Sequence, residues 1–587
     1  MSPQYTTKET QVYNVFGNEM QKIIHKQNQS IGTAVEEIAE KMPDNAALYF
    51  QDLSYSWKEL NENCNKYSYF FLDLGVKPRD TIAIMLENSP EYIFLTTGIN
   101  KIQCISALIN INQRKQALIH NFKISEPKWI IIDGKNLPFF NDIASKLPYS
   151  KDHIFIVNNY NEISHDFRDL SEEIKHKPIL NPKTTYNSML KETTFYIFTS
   201  GTTGLPKAVN MESFKLFVQA NLLCLGLARI GSNDIIYIPT PLYHNLGIGV
   251  AWIGAFLTGA AVVLPKRFSA SHFWKDIQKY NVTFTLYVGE IPRYLLNQPP
   301  SEFEKNHSLK KMLGLGLRKE IWEKFQSRFK VDHIFEFYGL TEGHRTLINA
   351  DEVPGMIGRL SQSGLVMAKV DPETGEFFKN ERGFCVRCRP GDIGMALIKI
   401  EKGTFFTGYK DKDKTHKKFM HQVLRKNDIY FNTGDMLKMH EDLWVSFADR
   451  FGDTFRWKGE NVSTLEVESI INSYTSINMS AVYGVSIPNT EGKAGMAAIK
   501  LNPSLKFDSD DFSRFIVDVF PSYSIPVFIR FREELELTGP LKIKKTNLRQ
   551  EAYDINAIKD QMLMWNSKEK KYVSFTNTLY QELMKSK

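Results

Sequence analysis

The sequence predicts an α/β protein, with a large N-terminal domain of layered α/β subdomains plus a β-rich subdomain, followed by a small mobile α+β C-terminal domain. Three observations predict it. Up to about residue 300, helical stripes alternate with short apolar runs, the texture of largely parallel sheets joined by helices. Beyond residue 355 the segments shorten, Gly and Pro recur, and residues 394–400 alternate as a strand does. Residues 452–464, GDTFRWKGENVST, then form a polar, glycine-punctuated joint, so the division expected is 1–451 and 452–587.

Taken in order, the first clear helix opens on the capping-box pair Ser56 and Glu59. Behind it Leu60, Cys64, Tyr67, Phe71 and Leu74 recur on one face, and Gly75 is placed to end it. Residues 81–86 form an apolar strand, after which Ser89-Pro90 reads as the N-cap and first-turn proline of the next helix. Further strands are expected at 104–109, 129–133, 153–157, 261–264, 283–288 and 333–337. Residues 246–264 carry no charge over 19 positions, barely a bilayer's length. The glycines 247, 249, 254 and 259 and the ending AVVLP favour a buried helix followed by a buried strand. The C-terminal part shows a helix at 465–472, strands at 481–485 and 496–501, and a helix at 510–519.

Composition excludes several classes. With 42% hydrophobic and 24% charged residues over 587 positions, the chain has apolar mass for several structural units and is not a disordered polymer. The net charge of +7 is mild for this size, and no dense Lys/Arg run is interleaved with aromatics, so no nucleic-acid partner is expected. The cysteines at 64, 104, 224, 385 and 388 are odd in number and sparse, which argues for a reducing compartment and against a disulfide framework. Cys385 and Cys388 lack two further ligands nearby for zinc and are expected as two thiols on a short strand. The opening residues are polar, with no basic segment leading an apolar one, so no secretory leader is expected. The final Met-Lys-Ser-Lys is not a peroxisomal tail.

The sharpest chemical signal is YIFTSGTTGLPKAV, residues 196–209. An apolar strand runs into small hydroxyl and glycine residues and then a lysine. Gly201 and Gly204 let backbone N–H groups approach phosphate oxygens, the hydroxyls of Thr199, Ser200, Thr202 and Thr203 donate, and Lys207 adds charge. It is not a Walker A loop, because Pro206 precedes the lysine and Ala208 follows it.

This TSGTTGLPK run resembles the signature loop of the acyl-adenylate-forming enzymes. Tyr338-Gly339-Leu340-Thr341-Glu342, then YFNTGD ending at Asp435, then Asp449-Arg450 follow in that family's order. Residues 447–464, with Glu466-Val467-Glu468 behind them, are similar to the very-long-chain acyl-CoA synthetases, also called fatty acid transport proteins. The segments ALIN at 107–110, PLYH at 241–244 and TGPLKIKK at 538–545 resemble that branch too. The resemblance runs from about residue 33 to the C-terminus.

It implies an ATP-dependent, AMP-forming ligase joining long or very long fatty acids to CoA, with ATP, Mg²⁺ and CoA as reactants and cofactors. By the same resemblance, Thr202 and Lys207 serve the departing pyrophosphate and Tyr196 lies with the nucleotide-binding run. Tyr338 and Gly339 flank adenine and α-phosphate, Thr341 is counted with the nucleotide-binding residues, and Glu342 is the Mg²⁺ carboxylate. Asp435 suits the ribose hydroxyls and Arg450 the same sugar, the alternative being an ordinary ion pair between the two. The adenylation lysine falls on Lys542, although Pro540 departs from the branch and leaves Lys544 within reach of the same register. His244 is either a wall between nucleotide and acyl pockets or a hydrogen-bonded loop histidine. Gly452 suits a hinge, and Gly459 leaves room for the thiol-bearing arm of CoA. Leu315 and His344 depart from the branch. Rival readings are a fatty acid uptake or binding protein and another adenylate consumer, oxygenase or carrier loader. A membrane surface is the partner expected beside fatty acid and CoA, in an intracellular, membrane-associated setting, while chain length and oligomeric state have no spacing code.

Overall fold

The computed structural model describes residues 5–585 apart from 27, 158–166, 200–204, 344, 361–363, 372–373, 402–405, 452–454, 458–459, 489, 491, 521 and 538–542. Contacts group the chain into two units, Met1–Ser361 with Glu401–Lys418, and Gln362–Ile400 with Phe419–Lys587.

The first unit rests on two sheets of the same design. In one, the strands β1 (Thr81–Met85), β2 (Ile105–Leu108), β3 (Trp129–Asp133), β4 (Ile154–Val157), β5 (Thr193–Thr199) and β6 (Lys207–Glu212) lie in the order β4-β3-β1-β2-β5-β6. Every neighbour is parallel except β6, which turns back antiparallel on β5. In the other, β7 (Ile235–Tyr237), β8 (Ala261–Val263), β9 (Phe284–Val288), β10 (Lys311–Leu315), β11 (His333–Gly339) and β12 (Thr346–Asn349) lie in the order β12-β11-β10-β9-β7-β8. Among these six all pairs are parallel until β12 turns back on β11, and beyond β8 the sheet is extended by the parallel strand Ala46–Phe50 and its antiparallel hairpin partner Leu53–Ser56. The apolar runs read as strands are buried on both faces, as a parallel sheet covered by helices requires.

Helices α1 (Ile31–Lys41), α2 (Trp57–Asp73), α3 (Pro90–Lys101), α4 (Lys115–Ser125) and α5 (Ser213–Ala220) pack around these sheets. The Ser56/Glu59 capping box forms with both reciprocal bonds, and Ser89 caps α3 with Pro90 in its first turn. The uncharged stretch folds as π-helical turns over Leu246–Trp252, an α-helix over Ile253–Thr258, and β8. Small residues permit this packing: a Cβ on Gly254 would lie 2.5 Å from the Cys224 sulfur. Among the described residues no helix is long and apolar enough to cross a membrane.

The second unit is β-rich, then mixed. Strands β13 (Leu365–Ala368), β14 (Ile393–Ile400), β15 (Ile429–Met439) and β16 (Trp444–Arg450) run antiparallel in the order β16-β15-β14-β13. A five-stranded sheet follows, β17 (Ile477–Val485), β18 (Ala494–Leu501), β19 (Phe528–Phe531), β20 (Met562–Asn566) and β21 (Lys571–Ser574), with α6 (Thr464–Ile471) and α7 (Ser509–Val519). One expectation is corrected. Cys385 and Cys388 are not on a regular strand; Cys385 makes a single bridge to Lys379, and Arg387 another to Ala368. A segment this short, stopped by Pro390-Gly391, cannot extend a ladder. All five cysteines are buried and free.

Candidate active site

Two antiparallel turn-backs of the first unit carry its polar motifs. At the first, Thr199 ends β5 directly opposite Lys207, which starts β6. Ser200, Gly201, Thr202, Thr203 and Gly204 lie outside the described residues, so the structure gives the two anchored ends of the loop. Behind Lys207, the Pro206 carbonyl accepts a hydrogen bond from His120 Nε2 on α4 at 3.0 Å. Burial and, after it, the charge of Lys414 hold His120 below its ordinary pKa, with the bond to Pro206 opposing. On the other edge of β6, Tyr409 bridges Val209, and Lys410 N–H donates to the Ala208 carbonyl at 2.8 Å. This places Lys207 Nζ 4.8 Å from the centre of the Tyr409 ring, cation–π distance. Tyr196, buried on β5, has Lys410 Nζ 5.3 Å over its own ring.

The second turn-back carries Tyr338, Gly339, Thr341 and Glu342. Tyr338 is buried on β11 opposite Leu347, and Gly339 lies opposite Thr346. Glu342 is half-buried, and its Oε1 accepts from the Tyr409 hydroxyl at 2.7 Å. Among the described residues its other oxygen has no hydrogen-bond partner, which fits a carboxylate offered to a hard cation such as Mg²⁺. Tyr409 therefore touches the signature lysine with its ring and the candidate metal carboxylate with its hydroxyl. The adjoining Thr341 carbonyl accepts from Nζ of Lys215, a buried residue in the first turn of α5. Burial pushes Lys215 down to about 8, against the pull of the Glu342 and Glu212 carboxylates. Burial likewise raises Glu212 above the ordinary carboxylate range.

The loop after β10, Gly314 to Leu317, is held from beneath by Glu336 on β11. This fully buried carboxylate accepts from Gly316 N–H at 3.0 Å, Leu317 N–H at 2.8 Å and the Tyr287 hydroxyl at 2.8 Å. Burial outweighs those bonds and pushes Glu336 up to about 8. Gly316 takes a φ of +82°, and a Cβ on Gly314 would meet the Tyr287 carbonyl at 2.2 Å, so this loop needs its glycines. Leu315 closes β10, its carbonyl accepting from Gly289. His244 is half-buried in the turn before the apolar helix, its ring 4.6 Å from that of Tyr243. Tyr243 in turn accepts from Asn112 at 3.2 Å, which joins the PLYH segment to the chain just after ALIN.

In the second unit, Asp435 and Arg450 are cross-strand neighbours on β15 and β16. Their contact is one long ion pair, 3.5 Å between Arg450 Nε and Asp435 Oδ1, with the carboxylate buried. That is the geometry of the ion-pair alternative, and it is equally a guanidinium and a carboxylate held side by side on two strands. Asp449 has a different task. Its Oδ2 accepts from both the N–H and the hydroxyl of Thr464 at 2.9 Å, fixing the start of α6. Of the C-terminal lysines, Lys545 is paired with buried Glu468 at 2.7 Å and Lys544 with Glu536 at 2.8 Å. Lys542, Gly452 and Gly459 lie outside the described residues, as does His344. Among the described residues no group of three or more His, Cys, Asp or Glu could hold a metal.

Sequence reasoning missed Tyr409, Lys215, Glu336 and His120. One of them had a signal: Lys215 is the only charge between Phe214 and Ala228, in a run that is otherwise largely apolar.

Comparison with known proteins places these features in context. The chain matches the model of the AMP-binding enzymes over residues 35–387, and that of the AMP-binding enzyme C-terminal domain over 466–542. It is 34% identical over 556 residues to the mouse long-chain fatty acid transport protein 6, covering 93% of this chain and 88% of that protein. Against a medium/long-chain-fatty-acid–CoA ligase of Mycobacterium tuberculosis it is 34% identical over 547 residues, covering 93% and 89%. Its fold is similar to that of the anthranilate CoA ligase AuaEII in complex with anthranoyl-AMP, with a TM-score of 0.77 at 20% identity over 90% and 98% of the two chains. It is similar too to ATP-bound MatB from Rhodopseudomonas palustris, with a TM-score of 0.73 at 20% identity over 90% and 100%.

Proposed function

The chain belongs to the AMP-binding enzyme family, among the long-chain fatty acid transport proteins, and on that premise we propose that it is a fatty acid–CoA ligase for long or very long chains. Two half-reactions are proposed. The fatty acid carboxylate attacks the α-phosphate of ATP and expels pyrophosphate; the thiol of CoA then displaces AMP from the acyl-adenylate. The observation that carries this reading is the Lys207–Tyr409–Glu342 contact, which ties the signature lysine and a half-open carboxylate to one tyrosine.

The first half-reaction brings a carboxylate against a polyphosphate, so developing negative charge must be neutralised. Lys207 supplies a cation at the root of the loop proposed to receive pyrophosphate. Glu342 would hold Mg²⁺, which would supply charge neutralisation to the polyphosphate. Tyr409 orients both protein groups. Glu336 holds the loop proposed to receive adenine, with Tyr338 and Gly339 beside it, and Asp435 and Arg450 are proposed for the ribose. Lys542 is proposed for the attacking carboxylate and α-phosphate. The engagement of Lys544 with Glu536, and of Lys545 with Glu468 and Thr464, supports Lys542 over its neighbours.

We further propose that residues 452–587 turn about Phe451-Gly452-Asp453 between the half-reactions, bringing Gly459 towards the acyl group for CoA. His244 is proposed as a wall of the acyl site. A membrane surface is proposed as the source of the water-insoluble substrate, in an intracellular setting.

The test is CoA-dependent AMP release by the pure protein across fatty acids from short to very long. Rates rising with chain length support the proposal. Flat rates across the panel overturn the substrate class, and fatty acid binding without AMP release would favour an uptake protein, the reading suggested by the names of the relatives.

A further inference from the structure

We propose that Lys215 is a positioning residue for Glu342, reaching from the helix behind the phosphate loop to hold the peptide that presents the metal carboxylate. The inference rests on the ligase reading and deepens it, because Lys215 belongs to none of the motifs that identify the family.

The starting point is the cost of the residue. A lysine placed inside a helix packed against apolar neighbours loses the hydration of its ammonium group, and such a group persists only where partners repay that loss. Lys215 is 4% exposed, between buried Ser213 and the buried pair Leu216 and Phe217. Among the described residues its one hydrogen-bond partner is the carbonyl of Thr341, 126 positions away in sequence. A single backbone carbonyl is a thin return for a buried cation. The charge that stabilises it comes from two carboxylates, Glu342, which follows that carbonyl, and Glu212, one turn earlier on its own segment. Glu212 itself keeps a buried Oε2 with no hydrogen-bond partner among the described residues. A core lysine serving packing alone would be replaced by leucine or methionine at no electrostatic cost. This one is arranged around the turn that carries Glu342.

The geometry gives the turn two braces. Tyr409 holds the Glu342 carboxylate at Oε1, and Lys215 holds the peptide one residue earlier. The braces come from different elements, the 406–410 segment beside β6 and the first turn of α5. Between them they fix where the remaining carboxylate oxygen points. Because α5 begins at the end of β6, whose first residue is Lys207, one continuous segment, 207–215, positions both the phosphate-facing lysine and the metal-facing carboxylate. In this role Lys215 acts through Thr341 and Glu342.

The experiment measures binding of a non-hydrolysable ATP analogue by full-length protein at stepped Mg²⁺ concentrations, for wild type, Lys215→Met and Lys215→Arg. Methionine keeps the stem and removes the charge; arginine keeps a donor and the charge. The expected result is that Lys215→Met raises the Mg²⁺ needed for half-maximal binding by about 10-fold, the scale of one lost charge-assisted hydrogen bond. Binding without Mg²⁺ stays unchanged, and Lys215→Arg restores most of the loss. A Lys215→Met protein with the wild-type Mg²⁺ dependence overturns the positioning role. So does one that loses binding equally with and without Mg²⁺ and is not rescued by arginine, since that is the behaviour of a damaged fold. Wild-type protein whose binding ignores Mg²⁺ overturns the ligase reading itself.

Discussion

Lys101 and Lys215 are both sealed inside the first unit, and the groups around them differ in a way that separates scaffold from site. Lys101, at the end of α3, has a fully buried side chain whose Nζ donates to Glu36 Oε1 at 2.9 Å, Asn61 Oδ1 at 2.5 Å and Asn65 Oδ1 at 2.6 Å. Two helices, α1 and α2, supply these oxygens to the lysine on α3, and Thr185 adds a hydrogen bond to the same Glu36 oxygen at 2.8 Å. Every donor of that ammonium is used, so its shell of partners is closed and ties α1, α2 and α3 together, while Glu36 keeps a buried Oε2 with no hydrogen-bond partner among the described residues. Lys215 has a single backbone acceptor and two nearby carboxylates, Glu212 with an unpartnered buried Oε2 and Glu342 held through Oε1 alone among the described residues. A buried cation with a full set of partners is structure. One with a partial set, spent on the turn that carries a half-open carboxylate, belongs to a site.

The largest expected effect tests the closed cluster. Lys101→Met leaves the Glu36 carboxylate buried without its cation and should cost about 3–5 kcal/mol of stability, the scale of breaking a buried pair from one side. Lys215→Met removes one hydrogen bond and should cost about 1 kcal/mol, because Glu342 can still turn towards solvent. Denaturant unfolding of both variants measures the contrast, and equal losses would break it. The folded fraction of Lys101→Met should retain its rate of adenylate formation.

Next in size is Lys207→Ala, which removes a cation from the phosphate loop without touching the core. We expect pyrophosphate exchange to slow by on the order of 10²-fold, with the unfolding curve unchanged. Retained exchange would refute the assignment of the loop.

Much of this was legible in the sequence because it is local. The strands β1 to β4 are short apolar runs bounded by turn residues, and the motif residues lie at the margins of others: Thr199 ends β5, Lys207 starts β6, Tyr338 is next to last in β11 and Glu342 lies in the turn after it. The boundaries moved by a residue or two, as when 104–109 narrowed to Ile105–Leu108. What sequence could not display is pairing at a distance. Tyr409 meets Glu342 from 67 positions away and lies beside Lys207 through a bridge to Val209, and no spacing rule links these segments. The π-helical turns at Asn221–Leu227 and Leu246–Trp252 were invisible for another reason. A wide turn shifts the side-chain period away from 3.6, so a uniformly apolar run leaves no pattern to count.

A smaller effect is expected of Tyr409→Phe. The ring remains for Lys207, while the hydroxyl that holds Glu342 Oε1 is lost. Adenylate formation should fall by about 5–10-fold, the scale of one hydrogen bond to a charged group. Adding Mg²⁺ should recover part of the loss, because the released carboxylate can still find the cation. A drop as deep as that of Lys207→Ala would mean that the tyrosine does more than orient.

His120 completes the comparison, because it handles proximity to burial by giving up its charge. Lys101 keeps its proton through three side-chain oxygens, and Lys215 keeps its own through nearby carboxylates. His120 faces the Pro206 carbonyl and the positive charge of Lys414, and partial burial holds its pKa below the ordinary value of about 6.5. The native state therefore binds this proton less readily than the unfolded chain does. The contribution to stability is fully present above about pH 6.5 and is lost as pH falls through the lower, folded value. His120→Gln separates the titration from the hydrogen bond, since the amide can still donate to the Pro206 carbonyl but takes up no proton. At pH 7.5 the variant should match wild type in stability and in pyrophosphate exchange. Between pH 6.5 and 5.5 it should lose less stability than wild type, by a fraction of the roughly 1.4 kcal/mol per pH unit that a full proton would contribute. Thermal unfolding at pH 7.5, 6.5 and 5.5 reads the difference. Parallel curves for the two proteins would mean that His120 ionises as freely folded as unfolded, and that the root of the phosphate loop carries a third cation after all.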